Sequence, residues 1–151
     1  RHPHGGTQQV ALVALDLDHF KRINDRYGHL VGDGVLQRFG HLVHANLPVG
    51  AIAMRWGGEE FLIGLPITDT RKVCSLAHRL RDELMDTQWA PPLEGERITA
   101  SAGAALPESP KQTLTDLIAS ADRALYLAKK DGRDRIAGDV CVEGFVQPMG
   151  P

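Results

Sequence analysis

Apolar residues run unbroken from Val10 to Leu15 and then give way to Asp16-Leu17-Asp18. A run apolar on both faces is the pattern of a strand buried mid-sheet and covered on each side. Because side chains alternate, Asp16 and Asp18 are expected on one face at the strand's end, where an unpaired charge is costly. A metal or a helix end must compensate. Asp18 precedes a short helical run, Phe20 to Asn24, and can serve as its N-cap. Asp16 has no such exit, which makes it the better metal-ligand candidate.

The pattern then changes period. Tyr27 to Gly34 reads as a glycine-punctuated loop, with Asp33 able to cap the helix that follows through about Asn46. Val35, Leu36, Phe39, Leu42, Val43 and Leu47 are spaced for one buried face of that helix. Two strand-like runs come next, Ala51 to Trp56 and Phe61 to Leu65, around Gly57-Gly58-Glu59-Glu60. A Gly-Gly pair can take the positive φ that a tight two-residue hairpin turn demands. Taken alone, that turn with its acids is also what an exposed, solvated turn looks like. Thr68-Asp69-Thr70 opens a second long helix to about Thr87, with Val73, Leu76, Ala77, Leu80 and Leu84 inward. After a loop holding Pro91 and Pro92, Arg97 to Leu106 alternates as a strand, and its alanines with Gly103 predict a closely packed helix. Thr113-Leu114-Thr115-Asp116 starts a third long helix through Lys130, with Leu117, Ile118, Ala121, Ala124, Leu125 and Ala128 inward. Gly132 suits its C′ position, and Lys129 and Lys130 either favour the negative helix end or serve a phosphate. Arg135 to Ala137 reads as a last short strand. Residues 1–9 read as a disordered lead and 138–151 as a weakly patterned tail, leaving 10–137 as the domain. Strands alternate with helices around an antiparallel hairpin, which predicts an α/β sandwich with a mixed central sheet flanked by helices.

Composition narrows the function classes. With 151 residues, 42% hydrophobic and 24% charged, the chain suits one globular domain with a real core. A formal net charge of −2 with scattered Lys and Arg offers no basic stripe for a nucleic-acid duplex. Cys74 and Cys141 lack metal-ligand spacing and are too few for a disulfide framework, which suggests a reducing compartment. No run approaches the roughly 18 apolar residues of a membrane span. The expected location is cytoplasmic, for a segment of a longer protein whose other parts could be sensory or membrane-anchored.

Four separated stretches agree with one family. Asp16-Leu17-Asp18-His19-Phe20-Lys21-Arg22-Ile23-Asn24-Asp25, then Gly28-His29 with Gly32-Asp33, then Arg55-Trp56-Gly57-Gly58-Glu59-Glu60-Phe61, and Ala121 to Lys129 with Gly132-Arg133 resemble the GGDEF-type diguanylate cyclases. The resemblance covers roughly residues 10–137 and implies a fold similar to the palm of nucleotide polymerases and nucleotidyl cyclases. It implies an enzyme that condenses two GTP molecules into cyclic di-GMP, releasing pyrophosphate, at the interface of two copies of the domain. A catalytically silent GTP-binding module is the alternative.

What the resemblance implies can be carried residue by residue. Asp16, the backbone carbonyl of Leu17, Glu59 and Glu60 would hold Mg²⁺ or Mn²⁺, two ions per half-site. Glu59 and Glu60 are the candidate catalytic acids, with no general base assigned. The triphosphate would lie against the amides of His19 and Phe20, with Lys21, Lys129 and Arg133 supplying positive charge and Gly57 and Gly58 leaving room for the α-phosphate. Asn24 and Asp33 would read the guanine edge, with Leu36 packing on the base. A carboxylate at Asp33 accepts from guanine N1–H and the 2-amino group, whereas adenine offers an acceptor and no amino group there. Two departures stand out. The family's inhibitory product site would fall on Pro48-Val49-Gly50-Ala51, which lacks its charged residues, so tight product inhibition through it is not expected. The Asp-x-Leu-Thr stretch that usually precedes the first strand is also missing. Partners implied are GTP, a second copy in a transient homodimer, and an upstream sensory or dimerising domain, with neither nucleic acid nor membrane for this segment.

Overall fold

The computed structural model describes residues 9–66 and 70–138. Its elements are β1 (Val10–Leu17), α1 (Phe20–Tyr27), α2 (His29–Ala45), β2 (Ile52–Arg55), β3 (Glu60–Pro66), α3 (Thr70–Met85), β4 (Ala100–Ala105), α4 (Leu114–Lys130) and β5 (Ile136–Ala137). They build a five-stranded sheet in the order β2-β3-β1-β4-β5. All pairings are antiparallel except β4 with β5, so the sheet is mixed, as expected. The apolar β1 is the central strand.

Alternation sorts each strand's side chains into two cores. Ala11, Val13, Leu15 and Leu17 face the larger core with Phe61, Ile63 and the inner stripes of α1, α2 and α3. Leu12 and Ala14 face the other side, where they meet Leu62, Ala105 and the Leu117, Ala121 and Leu125 stripe of α4. Among the described residues a single helix therefore covers that face. It lies very close to β4: a Cβ built on Gly103 would stand 2.2 Å from the Leu125 amide nitrogen and 2.4 Å from the Ala121 carbonyl oxygen. The expected stripe of α3 is fully realised, Val73, Leu76, Ala77, Leu80 and Leu84 being at most 1% exposed. α4 starts on a capping box, Thr113 accepting from the Asp116 amide while the Asp116 carboxylate accepts from the Thr113 amide.

Several local expectations are corrected. The glycine-punctuated stretch after Tyr27 is mostly helix: the break is at Gly28, φ +92, and α2 runs unbroken from His29. Asp33 thus sits inside α2 and cannot be its N-cap. Gly32 is tolerated there because the Asn24 amide fills the space beside it; an added Cβ would meet Asn24 Oδ1 at 1.8 Å. Asp18 is not the cap of α1 either. His19 takes that place in a left-handed conformation, φ 57, without a side-chain cap bond, and the Asp18 carboxylate turns toward β4. Nor is the Gly-Gly hairpin a two-residue turn. Neither glycine is left-handed, and the Glu60 carbonyl accepts from both Trp56 and Gly57 amides (2.7 and 3.3 Å), leaving a wider loop braced by Arg55 donating to the Gly58 carbonyl at 2.6 Å. The strand expected over 97–106 is confined to Ala100–Ala105. Cys74, buried on α3, is disulfide-bonded, which the cysteine count did not suggest. Thr68 and Asp69, the lead over 1–8 and the tail from 139 lie outside the described residues. Among the described residues no helix is long and apolar enough to cross a membrane.

Candidate active site

Sheet register brings the acids together. β1 runs antiparallel to both neighbours, which sets Asp16 opposite Glu60 on β3 and opposite Ser101 on β4. Asp16 and Asp18 project to the α4 side, as alternation predicts, and both are buried, at 6% and 4% exposure. Lys129, in the last turn of α4, forms an ion pair with Asp16 Oδ2. Glu59 stands beside Asp16, close enough for a carboxyl–carboxyl hydrogen bond and mutual repulsion.

These carboxyls are poorly neutralised. Burial pushes the Asp16 pKa up, with Lys129 opposing it, and burial together with the Asp16 charge pushes Glu59 up. Glu60 is pushed up to about 7, first by burial and then by the Asp122 carboxylate on α4. Asp16 Oδ1 and Glu60 Oε2 are buried without a hydrogen-bond partner. Orphaned, hard oxygen donors of this kind suit a divalent cation such as Mg²⁺. Among the described residues no three acid, histidine or cysteine side chains already form a closed cage, the Lys129 ammonium serving as the cation at Asp16.

Next to the acids lies a cavity of about 430 Å³, lined among others by Leu17, His19, Phe20, Lys21, Glu59, Lys129 and Arg133. It opens on the start of α1, where the Arg22 and Ile23 amides already donate to the His19 carbonyl and the amides ahead of them, which precede the first helical bonds, suit an anion. The side chain of Lys21 is 88% exposed and ion-paired with Asp25 at 2.8 Å, an arrangement that raises the Lys21 pKa. The structure does not bring every expected residue to this cavity. Asn24 lies one turn further along α1, half-buried, with its Oδ1 unsatisfied. Asp33 is exposed on α2, Leu36 is 6% exposed in the larger core, and Gly57 and Gly58 are exposed at the hairpin tip. Pro48 to Ala51 form a turn closed by the Ala51 amide on the Pro48 carbonyl, with Gly50 at φ +85.

Two groups escaped the reading of the sequence. Asp122 lies seven residues before Lys129, two turns along one helix face, a spacing that could have placed it beside the acids. Ser101, Thr99 and Asp134, the partners of Asp18, carry no signal in sequence because they meet it only through strand order.

A central strand ending in buried acids, set beside an acid-bearing hairpin and a cationic cavity, defines a palm-like nucleotidyl cyclase fold. The family model described as "Diguanylate cyclase, GGDEF domain" matches residues 1–135, and the chain belongs to that family. It is 40% identical over 136 residues to diguanylate cyclase DgcP of Pseudomonas aeruginosa, covering 90% of this chain and 20% of that protein. With diguanylate cyclase DgcM of Escherichia coli it shares 38% identity over 130 residues, 85% of this chain and 30% of the relative. The chain thus spans under a third of the length of these two relatives. Among solved structures, the GGDEF domain of DgcB from Caulobacter crescentus, in complex with c-di-GMP, superposes with a TM-score of 0.80 at 31% identity over 86% of this chain and 77% of that one. The active GGEEF domain of a Vibrio cholerae diguanylate cyclase gives 0.79 at 32% identity, over 86% and 82%. Residues 57–61 here spell the same Gly-Gly-Glu-Glu-Phe.

Proposed function

We propose that this domain is a diguanylate cyclase, joining two GTP molecules into cyclic di-GMP. The observation that carries the reading is the meeting of Asp16, Glu59 and Glu60 at one end of the sheet, beside a cavity that Lys129 and Arg133 make cationic. In each half-reaction a ribose 3′-hydroxyl attacks an α-phosphorus, a new P–O bond forms, and the bond to pyrophosphate breaks. Little covalent chemistry falls to the protein in such a transfer; positioning and charge stabilisation dominate. Asp16, the Leu17 carbonyl, Glu59 and Glu60 would hold two ions, Mg²⁺ or Mn²⁺, which when bound supply charge neutralisation at the phosphates and lower the pKa of a coordinated hydroxyl. His19 and Phe20 amides orient the triphosphate, Lys21 and Arg133 grip its outer oxygens, and the exposed glycines at 57 and 58 admit the α-phosphate. Lys129 exchanges its carboxylate partner for phosphate. Asn24 and Asp33 read guanine, and Leu36 backs the base from the core.

One domain supplies half of the reacting pair, so two copies must face each other, which brings the nucleotides into reach. A transient homodimer follows, controlled by a sensory or dimerising region elsewhere in a cytoplasmic or membrane-anchored protein. The uncharged turn at Pro48 to Ala51 leaves no site for tight product inhibition there. The test is GTP turnover with Mg²⁺ across a range of protein concentrations. Cyclic di-GMP should form with a rate per molecule that rises with concentration, and Glu59→Ala should lose it by at least about a hundredfold. Equal product from Glu59→Ala would reject the mechanism. Tight GTP binding without turnover, even after forced dimerisation, would favour a silent module.

A further inference from the structure

Asp18 is the buried acid that the chemistry above leaves unused. It is 4% exposed, yet fully engaged: Oδ1 accepts from the Ser101 hydroxyl at 2.6 Å, and Oδ2 accepts from the Thr99 hydroxyl at 2.7 Å and from the Asp134 amide at 3.0 Å. The Asp134 amide also donates to Ser101 Oγ at 3.2 Å. Residue 134 is gripped from its other side as well, since Arg81 Nε donates to its carbonyl (2.9 Å) and carboxylate (2.8 Å).

What this grip holds is unusual backbone. Gly132, Arg133 and Asp134 follow one another with φ of 127°, 65° and 51°. A glycine after a helix takes positive φ readily, but two non-glycine residues in succession do so only where their surroundings over-determine the conformation. A plain helix-to-strand connection would not need it. The consequence is local and specific: Arg133 is delivered to the cavity that Asp18 itself helps to line, together with Lys129 and Glu59.

We propose that Asp18 is a positioning residue for substrate binding, acting through the Asp134 amide to lock the left-handed 132–134 segment so that Arg133 faces the triphosphate. This rests on the function proposed above, and the test separates the two. The probe is 3′-deoxy-GTP with Mg²⁺, which lacks the attacking hydroxyl and so reports binding without turnover. Arg133→Ala should weaken its binding about tenfold, the loss of a charge-assisted contact. Asp18→Asn, which leaves one acceptor oxygen where the carboxylate offered two to Ser101, Thr99 and the Asp134 amide, should weaken it comparably, while the double variant binds no worse than Arg133→Ala alone. With GTP as substrate, Asp18→Asn should raise KM far more than it lowers kcat. Should Asp18→Asn fail to fold, Asp134→Pro, which removes the amide that Asp18 holds and cannot take the left-handed φ of 51°, should behave the same way against Arg133→Ala. Losses that multiply in the double variant, or binding of Asp18→Asn and Asp134→Pro at wild-type strength, overturn the inference and leave the function standing. A wild-type domain that does not bind 3′-deoxy-GTP overturns both.

Discussion

The backbone-to-backbone approach of β4 to α4 offers a sharp quantitative test of how the fold supports the site. Gly103 on β4 faces α4, where an added Cβ would lie 2.2 Å from the Leu125 nitrogen, 2.4 Å from the Ala121 carbonyl oxygen and 2.8 Å from the Ala124 carbonyl carbon. All three are backbone atoms of one helix, so no side chain can swing aside. Restoring ordinary contact in Gly103→Ala requires α4 to lift by about an ångström, breaking close packing along Ala121, Leu125 and Leu117. Overpacking of a well-filled core costs about 1–3 kcal/mol, and the rigid obstacle argues for the upper end. In urea, with a slope of about 2 kcal/mol per molar, the unfolding midpoint should fall by about 1–1.5 M. Gly34→Ala is the control: that glycine is inside α2 with nothing within 4 Å of its built Cβ, so the same substitution should stabilise by about 0.5–1 kcal/mol. Since Lys129 stands one turn beyond Leu125, lifting α4 should also cost turnover under conditions where Gly103→Ala remains folded. Equal midpoints for Gly103→Ala and wild type, with unchanged slopes, would refute the packing argument, as would a Gly34→Ala protein destabilised as much as Gly103→Ala.

Other predictions bear on the acids and on specificity. Glu60, with a folded-state pKa of about 7 against an ordinary 4.5, keeps its proton on folding, so its contribution is full below pH 4.5 and is lost as pH rises through 7. In EDTA the melting temperature should therefore fall by a few degrees from pH 5 to 7.5, and Glu60→Gln should flatten that slope; a rise with pH would contradict the assignment. The raised Asp16 and Glu59 act in the same direction, whereas His78, whose pKa is lowered, costs stability only as pH drops below about 6.5. Lys129→Met leaves the buried Asp16 carboxylate without its cation and should destabilise the metal-free domain by about 2 kcal/mol, with millimolar Mg²⁺ recovering part of it in thermal melts. No recovery would argue against an ion at Asp16. Asp33→Asn should narrow the preference for GTP over ATP in kcat/KM by at least about tenfold, and an unchanged ratio would remove Asp33 from base reading.

How far the sequence could carry these conclusions depends on the range of the interaction. Everything governed by alternation was legible: β1 as a central strand, Asp16 and Asp18 on a common face, the α3 stripe, and the close helix over the Ala-Gly-Ala run of β4. Features decided by a single φ were not. Gly28 breaks the helical run while Gly32 and Gly34 continue it, and nothing local distinguishes them; the Asn24 amide beside Gly32 does. Asp18 shows the same limit at longer range. Read locally, an acid before a short helix is an N-cap, the commonest use of that residue type. Strand order instead sets Leu17 opposite Ala100 and Asp16 opposite Ser101, so β4 passes beside Asp18 and offers it the hydroxyls of Thr99 and Ser101. Those contacts desolvate the carboxylate beyond the reach of a helix cap, and a buried carboxylate must then collect further donors. The Asp134 amide is the donor within reach, and taking it keeps the chain in the left-handed turn that presents Arg133. A charge buried by sheet register thus determines a conformation more than a hundred residues downstream, and it does so beside the cavity where positive charge is needed.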